Sequence, residues 1–277
     1  GGHCSEFGVP TRLIDSPDDA RTQIGELAPK MPDVIKIVFD RDHSGMPTID
    51  LETLRAAVAA AHRLGFQTVI HIGTDTWDDA LAAVLAGADA VTHTPEGSVV
   101  PDDVIAAMLE HGTTIIPTLA VHTDIAWWFG DRSRLDNPLL SAVTSEEIRA
   151  GYLREPQGGF AAWVESAVSR RATRDFSIRR LSRAGIRIVT GTDSGNPGTF
   201  LGYSVHRELL LLVEAGLSPW QALAASTTNA GAFLGRGWGL EDGDEGSLVV
   251  LDASPLEDIR NTEQIRDVVH HGSVVDR

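Results

Sequence analysis

Along this chain, short runs of β-branched residues alternate with longer stretches in which apolar positions recur every three or four residues. This is the pattern of βαβ units around a parallel sheet. The strand runs are 34–38, 68–72, 90–93, 114–117 and 187–191. The spacing predicts a helix over 51–64, opened by Thr48 and Asp50 and closed by Gly65, and another over 77–85, closed by Gly87. Residues 101–110 and 177–184 repeat the arrangement ahead of Gly112 and Gly185. Between the fourth and fifth strands the stretch 120–180 carries Trp127-Trp128-Phe129, several arginines and Pro156-Gln157-Gly158-Gly159, so one crossover holds a large helical insertion. Inserted βα loops commonly serve as lids or specificity elements. After Gly235 the pattern shortens, and 246–252 and 268–275 read as antiparallel strands of a small β appendage. The expected division is a barrel part over 1–236 and a β part over 237–277.

Composition narrows what such a fold can do. Of 277 residues 42% are hydrophobic and 22% charged, which supports a packed core and argues against general disorder. The formal net charge of −16 repels phosphate backbones and anionic lipid, so nucleic acid and membrane are not expected partners. A single cysteine, Cys4, cannot close an internal disulfide, and a reducing compartment is the default. No apolar run reaches the roughly 18 residues that span a bilayer, and the opening residues lack the pattern of a signal peptide. The expectation is a cytoplasmic chain acting on a small molecule, compatible with a homo-oligomer.

Residues at the carboxyl ends of barrel strands face the active site. Four strands here carry a ligand-type residue at or near that end: Lys36, His71, His93 and Asp193. His71 follows Lys36 by 35 residues and His93 follows His71 by 22. Both gaps fit one βα unit of a barrel that allots roughly 31 residues to each. The 100 residues from His93 to Asp193 fit two units plus the insertion. A lone strand-end histidine is more often hydrogen-bonded structure than a ligand. Four such residues in this order favour a metal site, with strand-end acid–base chemistry without metal as the rival reading.

At these segments the chain resembles the metal-dependent amidohydrolases, in particular the imidazolonepropionase-like and Xaa-Pro or Xaa-Arg dipeptidase-like branch. Ile35-Lys36-Ile37 is similar to the fourth-strand segment whose lysine is carboxylated, Ile70-His71 to the fifth-strand ligand, and Val91-Thr92-His93 to the sixth-strand histidine. Gly191-Thr192-Asp193-Ser194 resembles the eighth-strand aspartate segment. His206-Arg207-Glu208-Leu209, Val213-Glu214-Ala215-Gly216-Leu217-Ser218-Pro219 and Thr227-Thr228-Asn229-Ala230 resemble the helices that follow, and 246–252 the return into the small β domain. The resemblance implies a (β/α)8 TIM-type barrel, of which strands four to eight lie here, with part of a small β-sandwich appendage. One departure stands out: the family's first-strand His-x-His pair is absent. The ten histidines are at 3, 43, 62, 71, 93, 111, 122, 206, 270 and 271, and only the last two are close together. The chain therefore reads as a carboxy-terminal portion of a longer protein.

The resemblance further implies one or two divalent ions, zinc by the imidazole donors, bound by Lys36 as its carbon dioxide carbamate, His71, His93 and Asp193. Asp193 would act as general base and then general acid in hydrolysis of an amide or cyclic amide: a dipeptide, an N-acyl amino acid or an imidazolone-like ring. His122 and His206 are expected to line the substrate site. His62 and His111, at helix ends beside glycines, read as structural, and Trp127, Trp128 and Trp163 as the core of the insertion. A different reading makes the chain a non-catalytic fragment, or a subunit of a barrel completed by another polypeptide.

Overall fold

The structure is a computed structural model that describes residues 11–41, 46–129, 132–154, 161–237 and 240–276, with the side chains at 128–129 and 161–163 left out. It divides into two units, Gly1–Ile116 with Arg180–Ile188, and Pro117–Arg179 with Val189–Arg277.

In the first unit, β1 (Val34–Phe39) buries Ile35, Ile37 and Phe39 and turns Lys36 to the opposite, exposed face. β2 (Gln67–Ile72) is buried from Thr68 onward, as expected of a strand covered on both sides. β3 (Ala90–Thr92) and β4 (Thr114–Ile116) complete a parallel sheet in the order β1-β2-β3-β4. The helices are α1 (Pro17–Leu27), α2 (Leu51–Arg63), α3 (Asp78–Leu85) and α4 (Asp102–His111). α2 shows how sequence sets an element. Asp50 caps it by accepting from the Thr53 amide at 2.7 Å, and Leu54, Ala57, Val58 and Ala61 form its buried stripe. Gly65, at φ +82°, ends it by donating to the His62 carbonyl. Asp89 then ties α2 to β2, accepting from the Thr68 amide at 2.7 Å while lying 2.8 Å from His62 Nε2. His62 is thus structural, as expected.

The second unit contains α5 (Leu119–Phe129), α6 (Pro138–Val143), α7 (Glu146–Leu153) and α8 (Ala161–Ser169). α9 (Arg171–Ala184) gives its last residues to the first unit. α10 (Ser204–Glu214), α11 (Pro219–Ser226) and α12 (Thr228–Leu234) follow. β5 (Leu248–Leu251), β6 (Ile265–His270) and β7 (Ser273–Val274) form an antiparallel sheet in that order. Trp127, Leu135, Leu140, Phe200 and Tyr203 pack as one buried cluster, with Trp127 stacked on Tyr152 at 5.9 Å between ring centroids. Trp127 is therefore core, while Trp128 and Trp163 lie outside the described side chains.

One expectation needs correction. The run 187–191 forms no strand: it keeps a single parallel bridge, Ile115 to Ile188, with the Ile115 amide donating to the Arg187 carbonyl at 3.0 Å. Beyond it the backbone is used elsewhere. The Thr190 amide donates to the Ala225 carbonyl at the end of α11, and Thr190 Oγ1 meets Ser226 Oγ at 2.7 Å. The parallel sheet accordingly has four strands, not five. Among the described residues no helix is long and apolar enough to cross a membrane.

Candidate active site

Register places two of the expected ligands on one face of the sheet. Lys36 pairs with Val69, two residues before His71, and His71 pairs with Val38 and Thr92, so Lys36 and His71 project to the same side. His93 follows Thr92, and simple alternation would send it to the other face. Its backbone instead enters the left-handed region at φ +79°, with the amide still held by the Ile116 carbonyl at 2.9 Å. This turn brings the rings of His71 and His93 together, with centroids 4.4 Å apart and planes at 79°. His93 Nε2 lies 2.7 Å from His71 Nδ1. Both rings are buried, and Asp40, also buried, places Oδ2 at 3.8 Å from His71 Nε2. Lys36 and Asp40 line a cavity of about 640 Å³ along β1, beside Arg12, Leu27, Pro47 and Thr53.

Two buried imidazoles that point ring nitrogens at each other suit a zinc-type ion. A tetrahedral ion with bonds of about 2.0–2.1 Å holds two nitrogens roughly 3.3 Å apart. The observed 2.7 Å is the spacing of a hydrogen bond between the rings, and opening the pair by about 0.6 Å converts it to a ligand pair. The donor set therefore fits a metal.

The remaining expected residues lie in the second unit. Asp193, at φ +51°, is part-exposed, and Asn196 Nδ2 donates both to its carbonyl and to its Oδ2 at 3.0 Å. Its carboxylate is thus aimed by a neighbour three residues on. Thr118 precedes α5 at φ +52°. His93, Thr118 and Asp193 are three of the five described non-glycine residues with positive φ. Strained backbone of this kind concentrates at functional sites. His122 is buried on α5. His206 on α10 meets Thr262 Oγ1 through Nδ1 at 3.0 Å, and burial holds its imidazole below the usual range against the pull of the Glu263 carboxylate. His3 and His43 lie outside the described residues.

Three side chains around these positions were not picked out from the sequence. Glu208, fully buried on α10, accepts from the Leu119 amide at 2.9 Å and the Ala120 amide at 2.6 Å, capping α5 just after Thr118. Burial pushes its carboxyl up to about 8, against the two amides. Buried Asp124 takes Arg207 Nε at 3.2 Å and Arg134 Nη1 at 2.6 Å. Asn196 is the third. A signal existed for Glu208: Ser204, Glu208, Leu211 and Leu212 follow the helical period of the buried stripe.

Comparison with known proteins places the chain in a family. Residues 4–275 match the model of the amidohydrolase family. An uncharacterized protein of Mycobacterium tuberculosis is 28% identical over 236 residues, 85% of this chain and 50% of that protein. The chain thus spans about half the length of the curated relatives it matches. Among solved structures, a Xaa-Pro dipeptidase with bound methionine in the active site is similar at a TM-score of 0.73 and 21% identity, over 100% of this chain and 65% of that one. A prolidase complexed with N-methylphosphonate-L-proline gives 0.73 and 22%, over 99% and 62%. At that identity the two structures speak for the fold: an α/β fold with a parallel sheet, similar to amidohydrolase TIM barrels. With nearly its whole length matched, the chain belongs to the amidohydrolase family.

Proposed function

We propose that this chain carries part of the catalytic centre of a metal-dependent hydrolase that cleaves a carbon–nitrogen bond in a small substrate, with dipeptides first and N-acyl amino acids or imidazolone-like rings after them. The observation that carries the proposal is the buried His71–His93 pair, built by left-handed backbone at His93. The dipeptide preference rests on the resemblance to the two dipeptide hydrolases.

In this reading His71 and His93 would hold the ion, zinc by donor type. Lys36, on the same sheet face, would join them as the carbamate formed by addition of carbon dioxide to its amine with loss of a proton, which would supply oxygen ligands. A bound divalent ion would lower the pKa of water towards about 7 and polarise a carbonyl oxygen. Asp193 accepts the proton of the attacking water and returns it to the leaving nitrogen, with Asn196 fixing the carboxylate for both transfers. His122 and His206 contact substrate, and the barrel part runs over 1–236 with the β part over 237–277.

A second reading, in which the chain supplies part of a barrel closed by another polypeptide, draws on β1, which stands at the edge of the four-stranded sheet with the cavity alongside it. The test of the first reading uses the intact protein, metal analysis and a dipeptide panel. Asp193→Asn should keep its metal and lose roughly 10²–10⁴-fold in turnover, whereas His93→Ala should lose metal and turnover together. Normal turnover in metal-loaded Asp193→Asn would remove the role given to Asp193.

A further inference from the structure

The adjacent histidines singled out in the sequence, His270 and His271, have no part in the site above. They close the turn between β6 and β7, where His270 pairs with Ser273. The two turn residues, His271 and Gly272, both have positive φ, +47° and +74°. That geometry normally selects Asn, Asp or Gly at its first position, and a histidine there is strained. Neighbouring residues of a strand point to opposite faces. The left-handed turn undoes this and folds the His271 ring back, so the two centroids come within 4.1 Å at 56°.

A carboxylate completes the group. Glu245 Oε1 lies 3.7 Å from His271 Nε2. Ser247 sits between the three side chains, donating from Oγ to Glu245 Oε1 at 3.3 Å and lying 3.4 Å from His270 Nδ1, while the His271 amide donates to Ser247 Oγ at 3.2 Å. The Gly272 amide donates to the Gly246 carbonyl at 2.9 Å and locks the turn onto the segment that carries Glu245. One ligand atom from each of Glu245, His270 and His271 falls within 4.8 Å of the others, and among the described residues no other three such side chains converge this closely. Both histidines are exposed, so an ion can reach them from solvent and the rings can rotate to close the distances.

We infer that Glu245, His270 and His271 form a surface site for a divalent transition-metal ion of the zinc type. Two imidazoles and a carboxylate match the borderline preference of zinc, copper and nickel over calcium and magnesium, and three protein ligands leave a fourth position to water. Bound there, the ion bridges the segment before β5 to the β6–β7 turn and stabilises the terminal sheet by mass action. The inference stands apart from the proposed hydrolase activity and survives its failure.

The test is calorimetric titration of zinc chloride into the intact, chelator-stripped protein, comparing wild type with His270→Gln/His271→Gln and with Glu245→Gln. Wild type should bind one more equivalent than the double variant, and Glu245→Gln should weaken that event by at least about tenfold. Any zinc held by His71 and His93 is common to all three proteins and cancels. Copper(II) spectra should show, beyond any signal of the His71–His93 pair common to all three proteins, a further two-imidazole component in wild type that the double variant lacks. Far-UV circular dichroism checks the fold, which substitution of exposed side chains should leave intact. Equal stoichiometry and affinity in wild type and double variant, or identical copper spectra, would overturn the site.

Discussion

His93 and Glu208 show individual residues held against their ordinary preferences. A histidine at φ +79° costs of order 1 kcal/mol or more, and what that strain achieves is the meeting of two buried imidazoles. Glu208 holds the first amides of α5, yet burial pushes its carboxyl from 4.5 up to about 8. The folded state therefore binds that proton more tightly than the unfolded chain does. Its contribution to stability is complete below about pH 4.5 and is lost as pH rises to about 8. Glu208→Gln cannot titrate, and its amide leaves one backbone N–H facing another donor, a cost of about 1–3 kcal/mol. Thermal unfolding of both proteins at pH 5 and pH 8 should find wild type ahead at pH 5 by a margin that shrinks at pH 8; a margin independent of pH would contradict the buried titration. At this scale the sequence named Lys36, His71, His93 and Asp193 as candidates, because order and spacing along the chain are linear properties. It hid Asp124, whose partner Arg207 only the fold brings near, and Asn196, whose contact with Asp193 depends on the left-handed backbone at Asp193 and Gly195.

Elements held where local chemistry and burial agreed, and failed where a tertiary contact took over. The helices at Leu51–Arg63 and Asp102–His111 lie within a residue of the spans set by Gly65 and Gly112, since a glycine in left-handed backbone ends a helix wherever it stands. The run 187–191 looks like a strand by composition, but Thr190 spends its amide on α11. Two substitutions test how elements are pinned. A Cβ on Gly198, at φ +88°, would sit 2.5 Å from the Asp124 carbonyl oxygen in α5, so Gly198→Ala should cost at least about 2 kcal/mol in denaturant unfolding. Ser218 and Gln221 form a reciprocal cap at the start of α11, and Ser218→Ala should cost about 1 kcal/mol. A neutral Gly198→Ala would mean that the loop after Asp193 is not packed against α5 as described.

Over the whole molecule, family membership spans residues 4–275. The curated relatives are about twice as long as the stretch they share with this chain. Three of the four residues named from the sequence, Lys36, His71 and His93, belong to the first unit, and Asp193 belongs to the second. The charge of −16 disfavours nucleic acid and anionic lipid as partners, in keeping with the small-molecule substrate proposed above. The most direct test of the central claim is hydrolysis of Xaa-Pro dipeptides by the intact protein before chelation, after it and after zinc is restored, in wild type and His93→Ala. The expected result is turnover that vanishes with the metal and returns with zinc in wild type alone. Turnover that persists in full after complete metal removal would contradict the assignment of His71 and His93 as metal ligands and favour acid–base chemistry at the strand ends.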